Sequence, residues 1–498
     1  MTSSELPRQS HRYECDLSAT LFKSGWLYER QFQRYILLYA PDWPGLPVFL
    51  SPDIIDAVNQ FVDGAKVGDV LRSLAGHSGR SLAEWLGILN ALVDRGFLRD
   101  APDPKRFTPK RYQSLMKSLN IWLHINNNCN LACSYCFVEH SKLRMEQDTL
   151  DRTISQIGKT VRNHGVEDVL VKFGGGEPTL SLPQMDYFHE NLSQELRDTG
   201  ADVHWAVLTN GTNVTEQFLS FIARANATVS ISIDGYGEYH DLYRVYRANP
   251  NSHREGRPQG SWDVINRNIE TLRSKGISPY INAMVGPKTS PGVPKLAEWI
   301  VRNHMIGTFH VVRNLDDSWK AGESRKGQYS AYCEQLARDF ERMFHELEDP
   351  KYQIKLPRWM DIAELSFDHP APDICCGIGS DHIVIKHDGS LASCPMTMHE
   401  RTVVPGDDLF AAARETFTVS PAARFDKDVC LSCQWFKVCA SACPVANQRI
   451  RGTPFAQSPL CKFWKYVIPR YVDFYGTKLL QAQERGLCDL KNGRAPGR

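Results

Sequence analysis

The chain of 498 residues is longer than one hydrophobic core usually supports, so two or three domains are expected. Hydrophobic residues make up 42%, and 58 lysines and arginines balance 57 acidic residues. This near-neutral charge argues against a global attraction to nucleic acid or to anionic membranes. The amino-terminal segment is polar, and no run approaches the roughly 18 apolar residues of a membrane span. We therefore expect a cytoplasmic protein that makes no membrane contact.

Cysteine is the most informative residue type of this chain, which has 14 cysteines. Cytosolic thiols are kept reduced, so metal or cluster ligation explains them better than a disulfide framework. Only Cys15, Cys333 and Cys488 stand alone in the sequence. The others form an early group and a late group: Cys129, Cys133 and Cys136, then Cys375, Cys376, Cys394, Cys430, Cys433, Cys439, Cys443 and Cys461.

The segment 51–100 predicts a small helical module. Apolar spacing indicates helices over 54–61, 67–74 and 82–93, followed by a short extended stretch, which is typical of a winged helix. A charged, proline-containing linker follows at 101–111. Within 51–100, five basic residues against seven acidic ones argue against DNA binding. A purely structural cap on the next domain is the other interpretation.

Strand-like runs alternate with helical patterns from about residue 118. This alternation favours parallel strands joined by crossover helices, as in an open or partial barrel, with chemistry at the carboxyl ends of the strands. The predicted strands are 121–125, 169–173, 203–208, 229–233, 280–285 and 309–312.

The predicted fold class is α/β, with a partial (β/α)6 TIM-like barrel. A helix is expected around 328–347, after which periodicity weakens and cysteines dominate, as in a region organised by metal. The predicted domains are 1–110 (winged-helix-like), 115–345 (barrel), 346–475 (a cysteine-rich domain organised by metal) and 476–498 (a frayed tail).

The first cysteine group directly follows the first predicted strand, in the sequence CNLACSYC. Three thiolates on one loop, from Cys129, Cys133 and Cys136, can hold three irons of a [4Fe-4S] cube and leave the fourth iron open. A zinc knuckle that lacks its fourth ligand is the alternative. The next three strands end in FGGGEP (173–178), TNG (209–211) and SIDG (232–235).

In this order, the four segments resemble the radical S-adenosylmethionine (SAM) superfamily, over residues 118–315. The resemblance implies that the three cysteines hold the cluster and that SAM chelates its free iron. It also implies a set of SAM contacts. These are Tyr135 near the adenine; Gly175, Gly176 and Glu177 at the amino group; Ser232 and Asp234 near the ribose; Asn210; and Arg244, in HDLYR (240–244), facing the carboxylate or forming a surface ion pair.

The late cysteines resemble the SPASM extension of radical SAM enzymes, which holds two auxiliary [4Fe-4S] clusters. A zinc ribbon would use only four of them. The resemblance assigns Cys376, Cys394 and Cys443 to the first cluster, with Cys375 as a candidate fourth ligand. It assigns Cys430, Cys433, Cys439 and Cys461 to the second cluster.

The phrases VDGAKVGDVLRSLAG and LVDRGFL in residues 20–100 resemble PqqD-like elements, which capture leader peptides. The prediction is a maturase of ribosomally made peptides that forms an oxidative carbon-carbon, ether or thioether cross-link. Its partners would be a precursor peptide and an external low-potential reductant of the flavodoxin or ferredoxin type, without nucleic acid. The alternatives are a sulfatase-type maturase that forms formylglycine and a non-catalytic cluster-bearing or zinc-ribbon peptide-binding protein.

Overall fold

The structure is a computed structural model. It describes residues 16–75, 79–107, 117–247, 259–312, 326–354, 360–362, 365–367, 376–400, 402–417 and 428–485. Cys15, Cys375 and Cys488 lie outside these ranges, as do residues 108–111 of the linker. Among the residues described, no helix is long and apolar enough to cross a bilayer.

The amino-terminal part of the described chain combines short strands with three helices. The strands are β1 (Thr20–Lys23), β2 (Tyr28–Phe32), β3 (Tyr35–Tyr39), β4 (Val48–Leu50), β5 (Ala65–Lys66) and β6 (Leu98–Arg99); the helices are α1 (Pro52–Asn59), α2 (Val67–Leu74) and α3 (Leu82–Asp94). The strands form two antiparallel sheets, ordered β5-β1-β6 and β2-β3-β4. Ser81 and Glu84 form a capping box that starts α3 where the sequence predicts it.

A ten-stranded sheet forms the centre of the molecule, in the order β13-β12-β11-β10-β9-β8-β7-β14-β15-β16. Every pair from β13 to β14 is parallel, and the last two pairs are antiparallel. The strands are β7 (Ser118–His124), β8 (Asp168–Gly174), β9 (Asp202–Thr209), β10 (Thr228–Ser232), β11 (Tyr280–Val285), β12 (Ile306–Val311), β13 (Met360–Ile362), β14 (His382–Ile385), β15 (Leu391–Ala392) and β16 (Thr402–Val403).

Helices connect the parallel strands in the predicted alternation. They are α4 (Gln147–His164), α5 (Leu182–Glu195), α6 (Glu216–Ala225), the short α7 (Glu238–Asp241), α8 (Trp262–Ser274) and α9 (Val293–Arg302). Alternate strand residues such as Ile121 and Val171 are fully buried in one core with helix residues such as Ile157. Strands β7 to β12 are the six that the sequence predicts, whereas β13 and β14 extend the sheet at its two sides from the cysteine-rich region.

The carboxy-terminal part is mainly helical. It contains α10 (Lys326–Leu347), α11 (Leu409–Thr416), α12 (Asp428–Leu431), α13 (Phe436–Cys439), α14 (Pro444–Arg451) and α15 (Cys461–Glu484). The expectation of a frayed tail from residue 476 differs from the structure, because α15 continues to Glu484. Gly476 and Leu479 in that continuation are buried, and packing therefore holds the helix together.

The amino-terminal strands pack against α15. The Tyr28 hydroxyl donates a hydrogen bond of 2.8 Å to Asp473. Leu37 belongs to the same core cluster as Val472 and the central sheet. The two ends of the chain therefore share one hydrophobic core.

Candidate active site

The first cysteine group lies on the loop that leaves the carboxyl end of β7. Cys129 is buried, Cys133 is partly buried and Cys136 is exposed. Burial raises the pKa of Cys129 to about 12 and that of Cys133 to about 11, and each thiolate also feels the charge of its neighbours. The three thiols lie on one loop and affect one another's pKa, and a bound cation would stabilise them as thiolates.

The GGGEP segment after β8 braces the start of this loop through its backbone. The Gly176 amide donates to the carbonyl oxygen of Asn126 at 2.7 Å, and the Glu177 amide donates to that of Asn128 at 2.7 Å. A Cβ atom on Gly176 would lie 2.3 Å from the Asn128 oxygen, and one on Gly175 would lie 2.6 Å from the Asn126 oxygen. These two glycines are therefore required by backbone-to-backbone contact within the protein.

This contact predicts a large effect of a single methyl group. Gly176→Ala is expected to displace the cysteine loop and to remove about four of the irons bound after anaerobic reconstitution, as measured by iron analysis. Gly87→Ala is the matched control, because nothing lies within 4 Å of a Cβ atom at that helical glycine. A Gly176→Ala protein that retains its full iron content would show that the glycine contact is not needed.

Glu177, which the resemblance places at the SAM amino group, is held by donors from two strand ends. Its side chain is fully buried, and one carboxylate oxygen accepts hydrogen bonds from the Thr179 amide and from the hydroxyls of Thr179 and Thr209. The other oxygen accepts one from the Asn210 amide at 2.7 Å. The carboxylate therefore ties the end of β8 to the end of β9, and its second oxygen keeps a lone pair for a further donor.

Asn210, from the TNG segment, lies beside the cysteine loop. Its side-chain nitrogen is 3.8 Å from the Cys129 sulfur and donates to the Asn130 side-chain oxygen at 2.8 Å. Its own oxygen accepts from the Thr212 amide and hydroxyl. The end of β9 thus positions the first cysteine, and the Asn210 amide plane is fixed in orientation.

Tyr135, Asp234 and Arg244 form one buried polar cluster behind the second cysteine. The Tyr135 hydroxyl donates to the Asp234 carboxylate at 2.6 Å, and the Arg244 guanidinium pairs with the same oxygen at 2.9 Å. The Met284 amide donates to the other oxygen at 3.0 Å. Arg244 lies 3.8 Å from the Cys133 sulfur. The ion pair between Arg244 and Asp234 is buried, whereas the alternative expectation was a surface ion pair.

The cluster shows what Asp234 does within the protein. Asp234 is fully buried, both of its oxygens accept hydrogen bonds from protein donors, and it orients Arg244 and Tyr135. The contacts of Asp234 with the ribose and of Tyr135 with the adenine stay predictions. Ser232, the last residue of β10, is partly buried and lies beside Asn282 in register. Of the two expected ribose contacts, Ser232 is the one whose hydroxyl has no partner among the residues described.

The cysteine loop pairs with residues 243–246, and this pairing was not predicted from the sequence. The Ala132 amide donates to the Val245 oxygen at 2.8 Å, and the Ser134 amide donates to the Tyr243 oxygen at 3.2 Å. An antiparallel bridge joins Leu131 to Tyr246. No local pattern predicts this pairing, because the partners are more than 100 residues apart. The alternating sequence YRVY (243–246) is the one local signal that could have indicated an extended segment.

Four of the late cysteines surround one cavity: Cys430, Cys433, Cys439 and Cys461. Trp435 and Trp464 also line it. Burial raises the pKa of Cys439 to about 12, and its thiolate feels the charges of the other three. The donor set and its enclosure fit a cluster with four thiolate ligands. Among the residues described, no three metal-ligating side chains form a compact site for a single ion.

The other late cysteines lie on neighbouring loops. Cys394 precedes a short 3₁₀ turn, and Cys443 precedes α14. The Arg449 guanidinium, on α14, donates to the Met396 oxygen at 2.7 Å and holds the two loops together. Cys376 is exposed just before β14. Cys375 lies outside the described residues, so its ligand role stays a prediction.

A strained turn joins the two late cysteine groups. Ala440, Ser441 and Ala442 have φ angles of 44°, 65° and 59°, so three consecutive residues with side chains adopt the left-handed region. Each such residue costs on the order of 1 kcal/mol. The Asn447 side chain donates to the Ser441 oxygen at 2.9 Å and supports the turn. The turn separates Cys439, which lines the cavity, from Cys443 at the start of α14.

Comparison with known proteins identifies the central part of the chain. Residues 123–300 match the model of the radical SAM superfamily. This segment is a radical SAM domain. The protein is a radical SAM enzyme, and the cofactors of that family are a [4Fe-4S] cluster and SAM. The cysteine loop and the ends of β8 to β10 all lie within the matched residues.

Three individual proteins show how far the likeness extends. The cysteine-type anaerobic sulfatase-maturating enzyme of Clostridium novyi (strain NT) is 26% identical over 351 residues, which cover 66% of this chain and 88% of that protein. The sporulation killing factor maturation protein SkfB of Bacillus subtilis (strain 168) is 26% identical over 123 residues, 24% of this chain and 28% of that protein.

A solved structure, native anSMEcpe with bound AdoMet and Kp18Cys peptide, has the same fold. It matches with a TM-score of 0.51 and 20% identity, covering 72% of this chain and 99% of that one.

Proposed function

We propose that this radical SAM enzyme modifies a ribosomally made precursor peptide and closes an oxidative side-chain cross-link in it. The observation that carries the proposal is the loop of Cys129, Cys133 and Cys136, which the ends of three neighbouring strands hold in place. Three thiolates leave one iron of a cube open to SAM. When bound, these cofactors supply an electron that cleaves SAM to methionine and a 5'-deoxyadenosyl radical, which takes a hydrogen atom from the substrate.

The residues of the chain orient this chemistry. Arg244 places a positive charge beside Cys133, where it lowers the cost of thiolate formation and can receive a carboxylate. Tyr135 and Asp234 fix the guanidinium plane. The backbone of Gly175 and Gly176 forms the adjacent wall, and Ser232 offers a free hydroxyl at the next strand end. We expect these groups to contact SAM.

The late cysteines support a SPASM-like domain with two auxiliary clusters. In this proposal, Cys430, Cys433, Cys439 and Cys461 hold one cluster around their shared cavity. Cys376, Cys394 and Cys443 hold the other, with Cys375 as a candidate fourth ligand. Such clusters would accept the electron that the substrate radical must lose after hydrogen abstraction, and an external low-potential reductant of the flavodoxin or ferredoxin type would supply the separate electron that cleaves SAM.

The amino-terminal strands and helices are proposed to bind the leader peptide as a winged-helix-like module. Strand β2 is an edge of its sheet, and its central residues Glu29, Arg30 and Gln31 are exposed. The turn at Gln33 and Arg34 closes the hairpin with Phe32 opposite Tyr35. In a hairpin of this length, the amides of Gln31 and Glu29 point outward. A leader peptide could therefore add as another strand.

This geometry predicts a selective binding defect. Gln31→Pro removes one outward amide without breaking the ladder to β3, so we expect the leader affinity to fall about 2- to 10-fold, the effect of one hydrogen bond. Fluorescence anisotropy with the labelled precursor encoded beside the gene measures it. Formation of 5'-deoxyadenosine without peptide should be unchanged, and full affinity in Gln31→Pro would reject docking at this edge.

Formylglycine formation is the second candidate, because the curated relatives include sulfatase-maturating enzymes of both the cysteine and the serine type. The resemblance to sulfatase-type maturases implies an aspartate base directly after the cysteine that corresponds to Cys394. Here Pro395 occupies that position and begins a 3₁₀ turn. A base would have to come from elsewhere, and cross-linking is therefore favoured.

One experiment tests the proposed function and separates the two reactions. The reconstituted enzyme receives SAM, reductant and either the neighbouring precursor peptide or a sulfatase peptide with its target Cys or Ser. A cross-link makes the precursor lighter by one pair of hydrogens and leaves it unreactive toward a hydrazide, whereas formylglycine reacts. A hydrazide-reactive product from either peptide would show that the enzyme forms an aldehyde and would contradict the cross-linking proposal. Absence of 5'-deoxyadenosine would overturn both.

A further inference from the structure

Two sulfurs of the first cysteine group have a side-chain nitrogen donor from a distant segment. The Asn210 amide nitrogen lies 3.8 Å from the Cys129 sulfur, and an Arg244 guanidinium nitrogen lies 3.8 Å from the Cys133 sulfur. Hydrogen bonds to sulfur are longer than those to oxygen, because sulfur is a large and weak acceptor. These two donors come from the segments that follow β9 and β10.

The third sulfur, that of Cys136, has a nitrogen donor from its own loop. The ring nitrogen Nε2 of His140 lies 3.7 Å from this sulfur. Cys136 is exposed, whereas His140 is partly buried. An exposed sulfur is also open to water, so a protein side chain at this position supplies a donor whose place is fixed. Fixed donors next to metal ligands orient those ligands and tune the metal centre.

The backbone on both sides of His140 is held in place. Before it in the chain, Val138 is buried in an apolar cluster with residues of β14 and β15. After it, the Ser141 amide donates to the Asn127 oxygen at 3.3 Å, and the Asn127 amide donates to the Leu143 oxygen at 2.9 Å. The loop is thus closed at its base, and the fold directs the imidazole ring towards the cysteine.

The chemistry of the acceptor decides what this contact does. A thiolate bound to iron has no proton, so it only accepts hydrogen bonds, and Nε2 of His140 must carry the proton. The Nε2–H tautomer of the neutral ring and the imidazolium ring both supply it. Hydrogen bonds to the sulfurs help to set the reduction potential of an iron-sulfur cluster, because they stabilise the more negative, reduced form. A donor at Cys136 therefore favours the reduced cluster.

We propose that His140 is a positioning residue that donates a hydrogen bond to the Cys136 thiolate and thereby raises the reduction potential of the radical cluster. The inference rests on the proposed function, because it takes Cys129, Cys133 and Cys136 as the ligands of that cluster. Cleavage of SAM needs an electron from the cluster, so His140 sets the fraction of the enzyme that a given reductant keeps ready for the reaction.

The test is a redox titration of the reconstituted holoenzyme, followed by electron paramagnetic resonance (EPR). The signal that changes when SAM is added belongs to the cluster with the open iron, and its midpoint potential is measured. His140→Leu removes the donor. We expect the ratio of reduced to oxidised cluster at a fixed potential to fall about threefold, the effect of one weak hydrogen bond. This is a shift of about 30 mV to lower potential, at 59 mV per tenfold change.

Two further variants show whether the N–H group itself is responsible. His140→Gln keeps an N–H donor on a side chain of similar length, so it should restore the potential of the parent enzyme. His204→Leu is the matched control. His204 lies 3.8 Å from Asp168 near the amino ends of β8 and β9, whereas the cysteine loop follows the carboxyl end of β7. Its replacement should leave the potential unchanged.

An unchanged potential in His140→Leu would overturn the proposal, as would an equal shift in His140→Gln. Loss of about four irons from His140→Leu would also overturn it, because the residue would then serve to retain the cluster. If SAM changes no EPR signal of the parent enzyme, the proposed function fails as well. If SAM changes the signal but the potential does not respond to His140, the proposed function stands and this inference alone fails.

Discussion

Replacement of Cys129, Cys133 and Cys136 by alanine is expected to abolish 5'-deoxyadenosine formation and to lower the iron content from about twelve to about eight per chain. The three thiols lie on one loop, and the charges of Cys133 and Cys136 raise the pKa of Cys129. Without them, no open iron is available for SAM. Anaerobic reconstitution, iron analysis and chromatography of the SAM products measure both effects.

Cys333→Ala is the matched control for this experiment. Cys333 is buried in the core next to α15, and its sulfur lies 3.9 Å from the Pro459 oxygen, far from the other cysteines in sequence. Its replacement should leave iron content and SAM cleavage unchanged. Continued SAM cleavage by the triple variant would show that the radical cluster has other ligands.

Asp234→Leu is expected to lower the free energy of unfolding by about 3–5 kcal/mol and to stop SAM cleavage. The substitution leaves the Arg244 guanidinium buried without its counter-charge, and breaking one half of a buried pair costs that much. It also leaves the Tyr135 hydroxyl without its acceptor. Chemical denaturation followed by tryptophan fluorescence gives the stability, and 5'-deoxyadenosine gives the activity.

The double variant Asp234→Leu with Arg244→Met separates stability from chemistry. It removes both charges, so most of the lost stability should return, because apolar replacement of a buried pair is often nearly neutral. SAM cleavage should stay absent, since the cation beside Cys133 is gone. The exposed pair Lys117–Glu167 supplies the control: Glu167→Gln should cost less than about 1 kcal/mol. Normal SAM cleavage by the double variant would show that Arg244 is not needed for SAM cleavage.

The strands and cysteine loops could be predicted because their signals are local. Strand β11, for example, begins and ends where the apolar run YINAMV does, and CNLACSYC shows its ligand spacing directly. The internal hydrogen bonds of Glu177 could not be predicted, since its donors Thr209 and Asn210 come from the next strand end. The sequence shows only a carboxylate in a glycine-rich loop, and its contact with SAM stays a prediction.

The edges of the sheet were missed for a similar reason. Strand β14 pairs with β7 across more than 250 residues, and its four residues, HIVI, are too short to distinguish a parallel neighbour from a local hairpin. One feature of the sheet is visible in the sequence, since Lys172 interrupts the otherwise apolar run VLVKF of β8. A charge in the middle of a central strand indicates a face that the helices do not cover.

The shared core of the two chain ends affects attempts to redirect the enzyme to a new peptide. Leu37 on β3 lies so near Gly476 that a Cβ atom there would come within 2.8 Å of it. A chimera that imports a foreign leader-binding module therefore also needs the matching surface of α15. Exchange of residues 1–110 alone would leave mismatched apolar surfaces between the new module and α15. Successful chimeras should therefore carry residues 1–110 and α15 from the same parent.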